Sequence, residues 1–260
     1  MNEIIKINHL SFEYTNIPVL KNINFKIEKG SFTAILGANG CGKTTLLKAI
    51  LRLVKIQPNT VFINKCDALE LKRNKIAQIV SYVPQNERVP YHFSVREFIE
   101  LGRYSKQTSK EEDDKVVDKM IKVTHINYLQ DKYIGEISGG EYQRCIIARA
   151  LCQEASIMLL DEPISALDPL HQKEIMNLLK TLVEKENLSI VCTLHSINSA
   201  LDYCSDSILM KEGNIIYKGK TADILNKVSL KEAYNISASL VANPYTNNKH
   251  FIIEPYNEES

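Results

Sequence analysis

Gly37-Ala38-Asn39-Gly40-Cys41-Gly42-Lys43-Thr44-Thr45 fits the pattern G-x-x-x-x-G-K-[ST]. The chemistry open to such a run is to hold the phosphates of a nucleoside triphosphate. Glycines let the backbone wrap an anion, so that consecutive N–H groups at a helix N-terminus point at it while the Lys43 ammonium neutralises the β and γ oxygens. Thr44 is placed to ligate Mg²⁺. A plain glycine turn before an ordinary helix explains neither the spacing nor a lysine in the first helical turn, where a cation is unfavourable without an anion to meet. Further on, Asp161 and Glu162 follow the apolar run Ile157-Met158-Leu159-Leu160. Paired acids at a strand end need a cation or a reason to be unsatisfied.

These residues need elements to position them. Phe32 to Leu36 reads as a buried strand before the glycine loop, and Leu46, Leu47, Ala49, Ile50 and Leu51 give the helix behind it an apolar face. Upstream, Ile4 to Ile27 alternates with period 2, broken at Asn16-Ile17-Pro18 and ended by Glu28-Lys29-Gly30, which predicts an antiparallel sheet. Tyr14 stands at the exit of one of its strands, where an aromatic ring can stack on a purine; taken alone, such a tyrosine is more often packing.

Asn64-Lys65-Cys66-Asp67 imitates the guanine-reading motif of GTPases. It comes only 22 positions after Lys43 with no Asp-x-x-Gly between, so it reads as a surface turn. Ile79 to Gln85 is another buried strand. Ser94-Val95-Arg96-Glu97 and Ser109-Lys110-Glu111-Glu112 carry capping boxes that start helices. Asp168-Pro169 opens a further helix as cap and first residue. Leu188 to Cys192 is a parallel strand, Glu212-Gly213-Asn214 turns a hairpin, and two short helical pieces beyond Gly219 precede a polar tail from Asn247 to Ser260. The fold expected is α/β, a P-loop NTPase core with a mainly parallel sheet, an N-terminal antiparallel β subdomain and an inserted helical subdomain. The expected division is a core of 1–85 and 156–220, a helical insertion at 86–155 and a C-terminal extension at 221–260.

The totals narrow the function. A formal charge of +1 without a long basic run leaves no electrostatic footprint for nucleic acid. Six scattered cysteines without C-x-x-C spacing predict reduced thiols rather than a disulfide framework or a zinc site. No apolar run approaches the roughly 20 residues of a spanning helix, so a membrane role is expected through a partner.

The ordered set of phosphate loop, Gln85, Ser138-Gly139-Gly140-Glu141, Leu160-Asp161-Glu162-Pro163, Ser165-Ala166-Leu167-Asp168 and His195 resembles the ATPase subunit of ABC transporters over roughly residues 3 to 220. The resemblance implies two such subunits meeting head to tail, each phosphate loop closed by the other's Ser138-Gly139-Gly140. It implies ATP and Mg²⁺ as ligands. Gly37, Asn39, Gly40, Cys41, Gly42, Lys43, Thr44 and Thr45 would hold the nucleotide with Tyr14, and Thr44, Gln85 and Asp161 the metal. Glu162 would polarise the attacking water and His195 contact the γ-phosphate. A non-transport ABC ATPase usually carries two nucleotide domains, a coiled coil or a zinc insertion, and a simple P-loop kinase would not need Ser138-Gly139-Gly140 or His195.

Three positions depart from the commonest pattern: Glu141 for glutamine, which puts an acid beside the partner's nucleotide, Ser196 for aspartate, and Ile137 for leucine. The stretch Val89-Pro90-Tyr91-His92-Phe93-Ser94-Val95-Arg96-Glu97 through Leu101-Gly102-Arg103-Tyr104 is similar to that of importers of iron(III) siderophores, haem and cobalamin, with Ser105 in place of a usual proline. The expectation is therefore the energising subunit of an iron-chelate importer at the cytoplasmic face of the membrane, with a permease and, indirectly, a binding protein as partners. Zinc or manganese import is the alternative.

Overall fold

The computed structural model describes residues 3–85, 92–243 and 248–254. The expected start of the helical insertion at Asn86, the Val89-Pro90-Tyr91 part of the importer-like stretch, and Asn247 with 255–260 of the tail lie outside them.

Period-2 alternation folds β1 (Glu3–Tyr14) against β2 (Ile17–Glu28), with Ile5, Ile7 and Leu10 of one and Leu20, Ile23, Phe25 and Ile27 of the other buried. Their turn is Thr15-Asn16, both at positive φ (47° and 65°), as a tight primed hairpin requires. It falls just before the expected break, and Pro18 sits inside β2, where it is tolerated because β2 is a sheet edge. β3 (Phe32–Gly37) is buried throughout and leads into α1 (Lys43–Ile50). β4 (Val61–Ile63) and β5 (Cys66–Asp67) flank Asn64 and Lys65 at φ 49° and 68°, and Asp67 accepts from the Asn59 N–H at 2.6 Å. The guanine-motif look-alike is thus a hairpin turn whose aspartate serves its own loop.

Next come α2 (Arg73–Ile79) and β6 (Val80–Val83), then α3 (Val95–Glu100) and α4 (Lys110–Val123), both opened by complete capping boxes at Ser94/Glu97 and Ser109/Glu112. α5 (Gly139–Cys152) precedes β7 (Ile157–Leu160), all of whose side chains are buried. Asp168 caps α6 (Pro169–Glu186), with Pro169 in its first turn, and β8 (Ser189–Thr193) follows. α2 has neither a capping side chain nor an acid in its first turn, and buries only Ile76.

The chain closes with α7 (Ile197–Tyr203), β9 (Asp206–Lys211), β10 (Asn214–Lys220), α8 (Thr221–Ile224), α9 (Lys227–Tyr234), β11 (Ala238–Ala242) and β12 (Lys249–Ile253). The β11–β12 hairpin corrects the reading of the tail as merely polar. Side chains of α7 hold it: Asn198 Oδ1 accepts from the Phe251 N–H at 2.8 Å and Nδ2 donates to the Phe251 carbonyl at 3.1 Å, while Asp202 meets His250 Nε2 at 2.9 Å. An asparagine here imitates the edge of a third strand.

Two compact units result, residues 1–67 with 193–260 and residues 68–192. In the first, β2-β1-β4-β5 form the antiparallel sheet and β3 runs parallel to β9, which pairs antiparallel with β10. In the second, β6, β7 and β8 are parallel neighbours, and α3, α4 and α5 pack together. The fold is the expected α/β class, with parallel strands carrying the loops of interest. None of the six cysteines is in a disulfide and five are buried; burial pushes Cys145 and Cys152 up to about 12, which makes them poor nucleophiles.

Candidate active site

The phosphate loop is shaped by sterics at its two ends. Gly37 ends β3 at φ 149°, and a Cβ there would lie 2.4 Å from the Met210 carbonyl oxygen and 2.7 Å from Cys41 Sγ. Gly42 precedes α1 at φ 107°, where a Cβ would meet Leu20 Cδ2 and the Val19 carbonyl at 2.9 Å. Only glycine fits either place. α1 starts at Lys43 with no side chain capping it and no acid in its first turn, so its positive end is left for an anion. The Lys43 side chain is 5% exposed and donates to the Gly37 and Ala38 carbonyls at 2.9 and 3.2 Å. An ammonium buried on carbonyls alone fits a site made for phosphate oxygens. Ala38, Asn39 and Gly40 are exposed at the crest, Cys41 and Thr45 are buried and Thr44 is half-buried. Burial raises the Cys41 thiol pKa despite neighbouring Lys43, so this loop thiol is inert.

In the second unit, β7 delivers the acids. The Asp161 N–H donates to the Val83 carbonyl at 2.9 Å, extending the β6–β7 ladder by one bond, and its carboxylate is almost wholly buried. Tyr82 of β6 bonds to that carboxylate; burial first, then Asp161, drives the phenol pKa upward, so the hydroxyl stays a donor. Glu162 takes a left-handed conformation, φ 51°, which turns the chain out of the strand. Its Oε2 accepts from Gln85 Nε2 at 2.6 Å.

The Ser138-Gly139-Gly140-Glu141 run is itself a capping box. Ser138 Oγ accepts from the Glu141 N–H at 3.4 Å, and Glu141 Oε2 accepts from both the Ser138 N–H and hydroxyl at 2.8 Å. Tyr128 donates to Glu141 Oε1 at 3.0 Å. The Ser138 N–H, chiefly, holds the Glu141 carboxyl below its ordinary value. The acid that departs from the usual glutamine is therefore bound to its own helix start. Asp168 accepts from the N–H groups of Leu170 and His171 and is held below its ordinary value first by the His171 side chain.

His195 is exposed on the loop between β8 and α7, anchored just before it by the Leu194 N–H to the Ile35 carbonyl at 3.1 Å. Ser196, found where an aspartate is usual, caps α7 by accepting from the Ser199 N–H. Tyr14 ends β1 45% exposed, its ring edge-on to Phe12 with centroids 4.7 Å apart.

Of the residues expected at the site, Gln85 and Glu162 are in direct contact beside Asp161, Ser138 to Gly140 form one helix cap, and Gly37 to Thr45 form one loop. The loop, Tyr14 and His195 belong to one unit, the acids, Gln85 and Ser138 to Gly140 to the other. The Tyr82 contact to Asp161 has no local sequence signal, whereas the Ser138/Glu141 box is legible as S-x-x-E. Among the described residues no three His, Cys, Asp or Glu side chains gather as a metal cage.

A glycine loop closing on a buried lysine in one unit, and in the other an acid pair at the end of a parallel strand and a serine-capped Gly-Gly helix, are the parts of a P-loop ATPase of the ATP-binding cassette kind. The ABC transporter family model matches residues 20–165, and the chain belongs to that family. It is 33% identical over 239 residues to the ferric enterobactin transport ATP-binding protein FepC of Escherichia coli, covering 90% of this chain and 88% of that one. A structure described as a metal-chelate type ABC transporter in an inward-facing conformation superposes with a TM-score of 0.86 at 27% identity, covering 98% of both chains. The dimeric bacterial ABC transporter cassette MJ0796 superposes with a TM-score of 0.75 at 29% identity, over 84% of this chain and 99% of that one. The chain is an ATP-binding subunit that hydrolyses ATP. No described helix is long and apolar enough to cross a membrane.

Proposed function

We propose that this subunit energises import of an iron(III)-siderophore or related iron chelate, binding a membrane permease from the cytoplasmic side and receiving cargo through a separate binding protein. The observation that carries the cargo class is similarity to a ferric enterobactin ATP-binding protein across nine-tenths of the chain. The near-complete superposition on a metal-chelate type transporter supports it. Zinc or manganese is the alternative cargo.

In this reading the loop from Gly37 to Thr45 wraps the phosphates, Lys43 turns from its carbonyls to the β and γ oxygens, and Tyr14 stacks on adenine. Thr44, Gln85 and Asp161 would hold Mg²⁺, which when bound supplies charge neutralisation on the phosphates. Glu162 orients and deprotonates the attacking water, and His195 contacts the γ-phosphate. Ser138, Gly139 and Gly140 receive the nucleotide of a second copy. The subdomain division at residues 85/86, 155/156 and 220/221 belongs to the same reading, with the permease docking near Gln85 to Arg103. Arg103 itself is buried in its own ion pairs, whereas the next residue, Tyr104, is 94% exposed.

Uptake tests the proposal. Cells carrying Lys43→Ala in place of the native chain should lose accumulation of a radiolabelled iron(III)-siderophore while zinc and manganese uptake continue. Retained chelate uptake with lost zinc or manganese uptake would transfer the assignment to the alternative.

A further inference from the structure

Gly140 and Gly139 are adjacent, yet their surroundings differ. A Cβ on Gly139 would meet nothing within 4 Å, whereas one on Gly140 would lie 2.9 Å from both Cγ and Cδ2 of His171 and 3.3 Å from its Nε2. Gly140 stands inside α5 with ordinary helical backbone, so its conformation does not require glycine. What requires it is the imidazole resting on its Cα.

The other side of that ring is fixed as well. His171 Nδ1 lies 2.5 Å from Asp168 Oδ2, and the same carboxylate accepts through Oδ1 from the N–H groups of Leu170 at 3.0 Å and His171 at 3.1 Å. A carboxylate partner places the proton on Nδ1. One side chain therefore joins the cap of α6, which ends the Ser165-Ala166-Leu167-Asp168 turn, to the first turn of α5, two residues after its cap Ser138.

We propose that His171 is a positioning residue for the ATPase: it sets the spacing between the Ser165–Asp168 turn and the Ser138–Gly140 anion site within one subunit. The inference rests on the reading of Ser138–Gly140 as the site for a second copy's nucleotide. Folding stability is a poor rationale for the pair, because the side chains of His171 and Asp168 are 37% and 57% exposed and exposed ion pairs contribute little. The ring's use lies in geometry. If the two caps drift apart, the serine and glycine amides no longer meet the γ-phosphate while the Ser165–Asp168 turn keeps its place, and small misplacements of this kind are costly in rate.

The full-length chain carries the test. His171→Ala should lower kcat about tenfold while KM for ATP stays within about twofold and the melting temperature is unchanged. His171→Asn keeps a donor for Asp168 without the ring, and His171→Phe keeps a ring without the donor; each should fall between wild type and alanine. The decisive variant is a pair. Gly140→Ala should be severely impaired, and adding His171→Ala should recover part of the loss by removing the atoms the new methyl meets. Unchanged kcat in His171→Ala, or a double variant no better than Gly140→Ala, overturns the proposal.

Gel filtration separates this failure from failure of the underlying reading. In a Glu162→Gln background, ATP should drive dimer formation, and His171→Ala should raise the ATP needed about fivefold. No ATP-driven dimer at all defeats the two-copy site. A dimer with the same ATP dependence with and without His171 defeats only the positioning role.

Discussion

Gln85 Nε2 donates to Glu162 Oε2 at 2.6 Å, so the glutamine after β6 and the second acid after β7 are hydrogen-bonded to each other. A carboxylate so engaged has a fixed direction, and the general-base role proposed for Glu162 depends on that direction. Glu162→Gln should keep ATP affinity and lose about 100- to 10,000-fold in turnover, the range typical of a general base. Nucleotide-binding titration beside a phosphate-release assay makes the comparison, and an unchanged rate would remove Glu162 from the chemistry.

Tyr82 is expected to tune Asp161. Tyr82→Phe deletes the hydroxyl on the buried carboxylate and leaves the strand packing in place. The Mg²⁺ concentration for half-maximal hydrolysis should rise about tenfold, as for lost partners of metal ligands. Titration of Mg²⁺ at fixed ATP gives the answer, and coincident curves would assign Tyr82 to packing alone.

Arg103 should matter to folding. Its guanidinium, 5% exposed, donates to Asp113 and Glu154 at 2.6 Å and to the Cys152 carbonyl at 2.7 Å. Arg103→Ala strands two acids and a carbonyl, at a cost of about 3 kcal/mol. Urea unfolding followed by circular dichroism should show it as an earlier midpoint; an unmoved midpoint would make the network dispensable.

Acid should loosen the start of α5. Glu141 titrates below its ordinary value of 4.5 in the folded chain because the Ser138 N–H and hydroxyl favour its charged form. A depressed carboxyl contributes stability that is fully present above the unfolded value and lost as pH falls through the folded one. Melting temperatures between pH 6 and pH 3 should therefore fall less steeply in Glu141→Gln than in wild type. Parallel slopes would show that the box carries no linked proton.

Local signals made much of this molecule legible. Ile157 to Leu160 is bounded as a strand by the acids themselves, Asp168-Pro169 states a helix start in two residues, and the S-x-x-E boxes at Ser94 and Ser109 do so in four. The misses share a cause. α2 begins at Arg73 after Lys72, whose side chain does not cap it, and buries a single isoleucine, so no local pattern announces it. The β11–β12 hairpin is held by Asn198 and Asp202, about 50 positions upstream. Tyr82 passed for strand filler because the carboxylate it serves is on another strand. His171 could not be tied to Gly140 by spacing, since the fit between ring and missing Cβ exists only after α5 and α6 pack.

The Asn198–Phe251 pairing has a consequence for how the folded chain opens. α7 has seven residues, too few to hold itself by helical hydrogen bonds alone. Its persistence is borrowed from neighbours, and Asn198 links it to a strand 53 positions later. Amide deuteration should then find α7 and β12 exchanging at matched rates, as one cooperative segment. The protection of the helix that follows His195 would be read from the last of the described strands.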